Sequence, residues 1–145
     1  MKHVSFILFF FIHTIIVSQT MTIKDAFLKN DNKYISYDIT FQLGKATIIP
    51  GSFTFLDEMA AFIKSDSSLI IEIGNHTDER YSAKSSSCLT CARAKAIAEY
   101  LIGKGVRKEQ LIYKGYNATK PIIKNAKTEE EHQKNRRTEF IIMHH

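Results

Sequence analysis

The sequence predicts an α+β domain in which helices pack on one face of a mixed four-stranded sheet, in the order β-α-β-α-β-(α)-β. Three observations carry this. Leu69, Ile70, Ile71 and Ile73 form an apolar, β-branched run that stops at Gly74-Asn75, the pattern of a buried strand. From Leu89 onward the period changes: Leu89, Ala92, Ala96 and Tyr100 share one helical face, with Ile97 and Leu101 beside it. Two helical segments each join strands, and such crossovers imply some parallel pairing.

Residues 1–19 read as a cleaved secretory signal peptide. Met1-Lys2-His3 is a short basic start, residues 4–17 are almost wholly apolar, and Ser18 or Gln19 offers a cleavage point. An apolar core of this length falls short of the roughly twenty residues that a membrane span needs, with an uncleaved anchor as the alternative. No cysteine follows the apolar stretch, so no lipid anchor is expected. The expected location is the periplasm, reached through the signal peptide.

Residues 20–33 read as an arm or short helix, since Ile23, Ala26, Phe27 and Asn30 stand at near-helical spacing before the turn Asn30-Asp31-Asn32. The domain proper spans residues 34–145. Residues 34–43 alternate, with Ile35, Tyr37, Ile39 and Phe41 on the inward side of a half-buried strand. After an exit loop over residues 44–50, residues 52–64 form an amphipathic helix. Ser52 is its candidate N-cap, and Leu56, Met59, Ala60 and Ile63 are its buried stripe. The central strand and helix follow, and Gly103 and Gly105 end that helix. Residues 110–115 read as the third strand and residues 116–127 as a polar loop. Residues 128–136 form a charged helix whose early acids suit a helix N-terminus, and residues 137–143 the closing strand.

The length of 145 residues suits one domain with a substantial core. A net charge of +5 would suit an anionic polymer, but an ordinary solvated, mixed-charge surface is the simpler reading. The basic residues are scattered, with no stripe of aromatic and basic side chains, so no nucleic-acid partner is expected. No cofactor is expected. No second histidine or acid stands at ligand spacing from His76, so no metal site is expected either.

Asp78 lies just beyond the central strand, and Arg93 follows fifteen residues later in a helix. A loop folding back over that helix would place a carboxylate and a guanidinium in one pocket. A ligand bearing both an ammonium and a carboxylate suits such a pair, because Arg clamps carboxylates in a fork and Asp accepts from ammonium. Unconnected surface charges or a structural salt bridge are the alternatives. Leu89, one turn before Arg93, could supply an apolar wall.

The run Asn75-His76-Thr77-Asp78-Glu79-Arg80, the spacing to Ala92-Arg93-Ala94, the Tyr100-Leu101-x-x-Lys104-Gly105-Val106 segment and the run from Asn135 to Phe140 are together similar to the OmpA-like peptidoglycan-binding domain family. The resemblance covers residues 37–143. It implies a periplasmic module, not an enzyme, that binds the meso-diaminopimelate of the peptidoglycan stem peptide without covalent chemistry. It also implies Asp78 and Arg93 as the ligand-binding pair, with Leu89 lining the pocket. Beside them Thr77 could add a hydroxyl or backbone donor and Phe41 a second apolar wall, with a core phenylalanine as the simpler reading of Phe41. Arg136, Arg137 and Asn135 would support the site, at most one of the two arginines reaching it. Outer-membrane or other envelope proteins are the further partners it suggests, one of which could associate the domain with the outer membrane. Asn75, Tyr81, Ser86 and Gln42 depart from the family pattern. Asn75 stands in place of the usual glycine, and Asn tolerates the left-handed backbone expected of a turn there.

Two other readings stay open. One is a periplasmic protein-interaction domain that no longer binds the wall. The other rests on Cys88 and Cys91, whose C-x-x-C spacing fits a structural disulfide or, less well without flanking redox-type sequence, a thiol-disulfide redox pair.

Overall fold

The computed structural model describes residues 22–80 and 83–143, except for the side chains of residues 83–88. The expected leader, Tyr81 and the side chains of Ser86 and Cys88 therefore lie outside the described residues.

Helix α1 (Ile23–Lys29) opens with a reciprocal cap. The Thr22 hydroxyl accepts from the Asp25 amide at 3.2 Å, and Asp25 Oδ2 accepts from the Thr22 amide at 3.1 Å. Phe27 is buried and stacks on Phe62, with ring centroids 5.2 Å apart.

Strand β1 (Lys33–Ser36) is shorter than the expected 34–43 run, and its parity is the reverse. Ser36 is buried, whereas Ile35 is 38% and Tyr37 44% exposed. The chain leaves the sheet after Ser36, whose Oγ accepts from the Asp38 amide at 3.3 Å. Ile39 and Phe41 turn toward the core only after that departure.

A 3-10 turn (Pro50–Ser52) leads into α2 (Phe53–Ser65), whose buried stripe is Leu56, Met59, Ala60 and Ile63, as the sequence indicates. Ser52 does not cap this helix. Its Oγ accepts from the Thr40 amide at 2.9 Å, so it ties the preceding loop to the helix start instead.

Strand β2 (Ile70–His76) runs on past Gly74-Asn75, where the sequence suggests a stop. Partners on both sides carry it further: it pairs antiparallel with β4 (Thr138–Met143), through Asn75 opposite Thr138, and parallel with β3 (Leu111–Asn117). Asn75 is thus a buried strand residue, absent from the left-handed positions, and its Nδ2 donates to Thr138 Oγ1 at 3.1 Å.

Helix α3 (Ala83–Gly103) starts a turn or more before Leu89 and buries Thr90, Ala94, Ile97, Ala98 and Leu101. Ala92 is exposed, and Leu89, Ala96 and Tyr100 are only half-buried, so the helix is rotated from the expected face. Gly115 on β3 explains the rotation. A Cβ there would lie 2.4 Å from the Cys91 amide nitrogen and 2.5 Å from Thr90 Oγ1, so α3 presses its backbone against the strand along its small residues. The Thr90 hydroxyl donates to Asn117 Oδ1 at 2.6 Å across the same contact. The C-terminus closes as a Schellman motif, with Val106 N bonded to Leu101 O, Gly105 N to Ile102 O, and Gly105 at φ +90°.

Gln110, just ahead of β3, is buried and gives its Nε2 to the carbonyls of Ile63, Asp66 and Leu69 at 3.0–3.2 Å. It thereby satisfies acceptors at and beyond the end of α2 that no intrahelical donor reaches. Helix α4 (Glu129–Asn135) has a capping box between Thr128 and Glu131.

The sheet order is β1-β4-β2-β3, with β2–β3 the parallel pair joined across α3 and the other neighbours antiparallel. The helices lie on one face. Ile71, Ile73 and Phe140 meet Leu56, Met59, Ile63, Ile97 and Leu101 there, each essentially inaccessible. Among the described residues, no helix is long and apolar enough to cross a membrane.

Candidate functional site

The site lies at the end of the sheet where β1 and β2 finish and β4 begins. Two backbone bonds carry the ladder to the end of β2 and one residue beyond: His76 N donates to Arg137 O and Thr77 N to Asn117 O, both at 3.0 Å. Asp78, one residue on, is consequently held by the sheet itself. Its Oδ1 accepts from the Arg80 amide at 3.0 Å, a tight two-residue turn of the kind Asp favours.

The loop between β1 and α2 forms the opposite wall. It folds back on itself through the bridge between Phe41 and Ile48, with Gln42 N donating to Thr47 O at 2.9 Å. Arg93, in the middle of α3, reaches this loop. Its Nε donates to Lys45 O at 3.0 Å, and its guanidinium lies 4.8 Å from the centroid of the Phe41 ring. A cleft of about 250 Å³ opens between the walls, lined by Phe41, Leu43, Arg93, Asn75, His76 and Arg136 among others.

Arg93, Phe41, Arg136 and Arg137 therefore share one cleft, but Asp78 does not line it. Asp78 is 2% exposed and sits beneath two guanidiniums. Its Oδ2 accepts from Arg80 Nη2 at 3.0 Å and from Arg136 Nη1 at 2.6 Å, while Arg80 Nε bonds Oδ1 at 3.2 Å. Burial opposes ionisation of this carboxyl, but the hydrogen bonds from Arg80 and Arg136 outweigh it and hold the pKa down to about 2. Glu129, at the start of α4, joins the outer ends of both arginines. Leu89 is half-buried, outside the lining of the cleft. Thr77 is buried with its hydroxyl unpartnered.

The two adjacent arginines diverge. Arg136 turns to Asp78, Glu129 and Gln133. Arg137 is buried, bonded to Glu139 Oε1, Asn135 O and Lys120 O. Asn135 fastens the loop after β3: its Oδ1 accepts from the amides of Ile122 and Ile123, and its Nδ2 donates to Ile123 O. His76 is buried and stacks on Tyr116, with neither ring nitrogen hydrogen-bonded. Burial, then the Arg137 guanidinium, lower its pKa to about 4, against the pull of Glu139, so the ring is neutral at pH 7.

Sequence reasoning passed over Arg80 and Glu129. Arg80 carried a local signal, since an Asp two residues before an Arg can take its amide and its guanidinium together. Glu129 read only as a favourable first-turn acid, because nothing local says that α4 starts beside Asp78. Cys91 is an exposed free thiol, and the Cys88 side chain lies outside the described residues.

A model of the OmpA family matches residues 40–136. The chain belongs to the OmpA family. It is 32% identical over 104 residues to the peptidoglycan-binding protein ArfA of Mycobacterium tuberculosis, a match covering 72% of this chain and 32% of ArfA. To the peptidoglycan-associated lipoprotein of Buchnera aphidicola it is 35% identical over 86 residues, covering 59% and 49%. The crystal structure of the C-terminal domain of Helicobacter pylori MotB superposes with a TM-score of 0.65 at 27% identity, over 74% of this chain and 84% of that one. The chain spans about a third of the length of its mycobacterial relatives. In this OmpA-family domain the matched segment takes in the whole loop from Thr40, all of β2 and α3, and Arg136, and thus nearly every element of the cleft.

Proposed function

We infer that this domain binds peptidoglycan non-covalently, through the diaminopimelate of the stem peptide, and so anchors itself to the cell wall. The observation that carries this is the cleft in which Arg93, braced on Phe41, faces Arg136, whose own guanidinium is fastened to Asp78. Arg93 clamps a ligand carboxylate in a bidentate fork. Asp78 accepts from the ligand ammonium. Phe41 flanks the methylene chain between those ends, while Leu89 and the buried Thr77 stay outside the lining of the cleft. Arg136, Arg137 and Asn135 fix the loops around the pair. The family, and relatives whose names include peptidoglycan-binding and peptidoglycan-associated proteins, support the same partner. The role is binding rather than catalysis, in the periplasm, with residues 1–19 as the leader that delivers the chain there and envelope proteins as further partners.

Co-sedimentation with purified sacculi tests this. Wild type should pellet with the sacculi, and Asp78→Ala and Arg93→Ala should stay largely in the supernatant. Both variants pelleting like wild type would refute the assignment of the site.

A further inference from the structure

Asp78 is saturated by the chain's own donors. Oδ1 takes the Arg80 amide and Nε, and Oδ2 takes Arg80 Nη2 and Arg136 Nη1. A carboxylate has about four acceptor directions. An incoming ammonium finds none vacant, and the Asp78 side chain is only 3% exposed. One donor must leave before a ligand can bind through this carboxylate.

The donors are not held equally. The Arg80 amide belongs to the turn and cannot leave without unmaking it. The Arg136 side chain is 31% exposed and fastened also by Glu129 and Gln133. The Arg80 side chain is 49% exposed, and water screens its pairing most. Its outer edge already rests on Glu129, with Nη1 at 2.8 Å from Oε2 and Nη2 at 3.5 Å from Oε1. A rotation of the Arg80 side chain hands its guanidinium wholly to Glu129, which is itself 63% exposed and free to follow.

We propose that Arg80 determines the specificity of this site: its guanidinium occupies the ammonium seat on Asp78, and a ligand gains the seat only by replacing one cation with another. This rests on the reading that Asp78 and Arg93 hold diaminopimelate. Binding is then an exchange in which Glu129 receives the displaced arginine, not the filling of an empty site. A free primary ammonium, compact and with three donors, makes that exchange. An acylated amine has no charge to offer and leaves Arg80 in place, a discrimination built from an unfavourable alternative as much as from a favourable contact.

Calorimetric titration distinguishes the outcomes, using a diaminopimelate-containing muropeptide with its side-chain amine free and the same muropeptide with that amine acetylated. Arg80→Ala and the bulkier, uncharged Arg80→Gln should both bind the free-amine muropeptide about two- to fivefold more tightly than wild type, the scale of one screened ion pair. Neither should improve binding of the acetylated form. Equal or weaker binding of the free-amine form by both variants, while Asp78→Ala and Arg93→Ala abolish it, overturns the proposal and leaves the peptidoglycan reading standing. Equal tightening for both ligands overturns it too, because the gain would not arise at the ammonium seat. If wild type binds neither muropeptide and Asp78→Ala and Arg93→Ala pellet normally with sacculi, the underlying reading fails and this proposal with it.

Discussion

Arg93 does two things with one planar group: its Nε holds the Lys45 carbonyl, and its face lies over Phe41. A lysine can supply the charge but neither the second in-plane donor nor the flat surface. Arg93→Lys should therefore weaken sacculus binding about tenfold or more, a larger effect than the small drop in melting temperature from losing the Lys45 and Phe41 contacts. Isotherms on sacculi alongside thermal melts check this, and wild-type affinity in the variant would refute the fork. Asn135 makes the opposite case, a residue whose value is structural. It is 1% exposed, and one amide group satisfies two loop N–H groups and a carbonyl. Asn135→Ala should cost about 2–3 kcal/mol in urea unfolding, because those backbone groups are left without partners. The sequence suggests Asp78 and Arg93 as a complementary pair, but Arg93 lines the cleft while Asp78 lies beneath Arg80 and Arg136. An arginine of the Arg136-Arg137 pair beside Asp78 is what the family resemblance leads one to expect, whereas Glu129 belongs to an element far along the chain that only the fold sets against Asp78.

Among the elements, α2 and α3 differ instructively. The face of α2 was legible because large apolar residues recur at Leu56, Met59 and Ile63, and that periodicity is local. The face of α3 was misread because what it buries beside Ile97 and Leu101 is small: Thr90, Ala94 and Ala98. Thr90 is the one that meets Gly115, and a hydrophobic pattern gives little weight to a threonine or to alanines whichever way they point. Gly115→Ala should consequently push α3 off β3 and destabilise the domain by about 3 kcal/mol, at the upper end for overpacking by one methyl. Urea denaturation measures the loss, and Gly103→Ala, where a Cβ meets nothing within 4 Å, is the control. The β1 error has a different origin. Alternation over residues 34–43 was real, but the chain leaves the sheet in mid-run, so one period describes two unlike segments.

For the whole molecule the order of elements and the mixed sheet were legible, since crossover helices and turn residues leave few topologies. The buried polar cluster at the end of β2 was not, because alternation assigns His76 and Glu139 to a face without saying what covers them. That cluster governs the response to acid. An unfolded histidine takes up its proton near pH 6.5, but buried His76 resists until about 4. Between those values the unfolded chain holds more protons, so stability is full above about pH 6.5 and falls as the pH drops toward 4. At about 1.4 kcal/mol per pH unit, His76 alone can account for a loss of up to about 3 kcal/mol. Glu139, whose pKa is lowered chiefly by the hydrogen bond from Arg137 against the cost of burial, adds a loss of the same sign as it becomes protonated. Melting temperatures at pH 7.0 and 4.5 should drop less in His76→Phe, which keeps the stack on Tyr116, than in wild type; equal drops would place the acid sensitivity elsewhere. Finally, the cleft sits where β1 and β2 finish and β4 starts, whereas Asn32 and Met143 meet at the far end, with Ile142 N bonded to Asn32 O. Tension between a wall fragment in the cleft and whatever holds the chain at that far end would run lengthwise along the strands. Rungs pulled this way resist together and must rupture as a set rather than unzip singly.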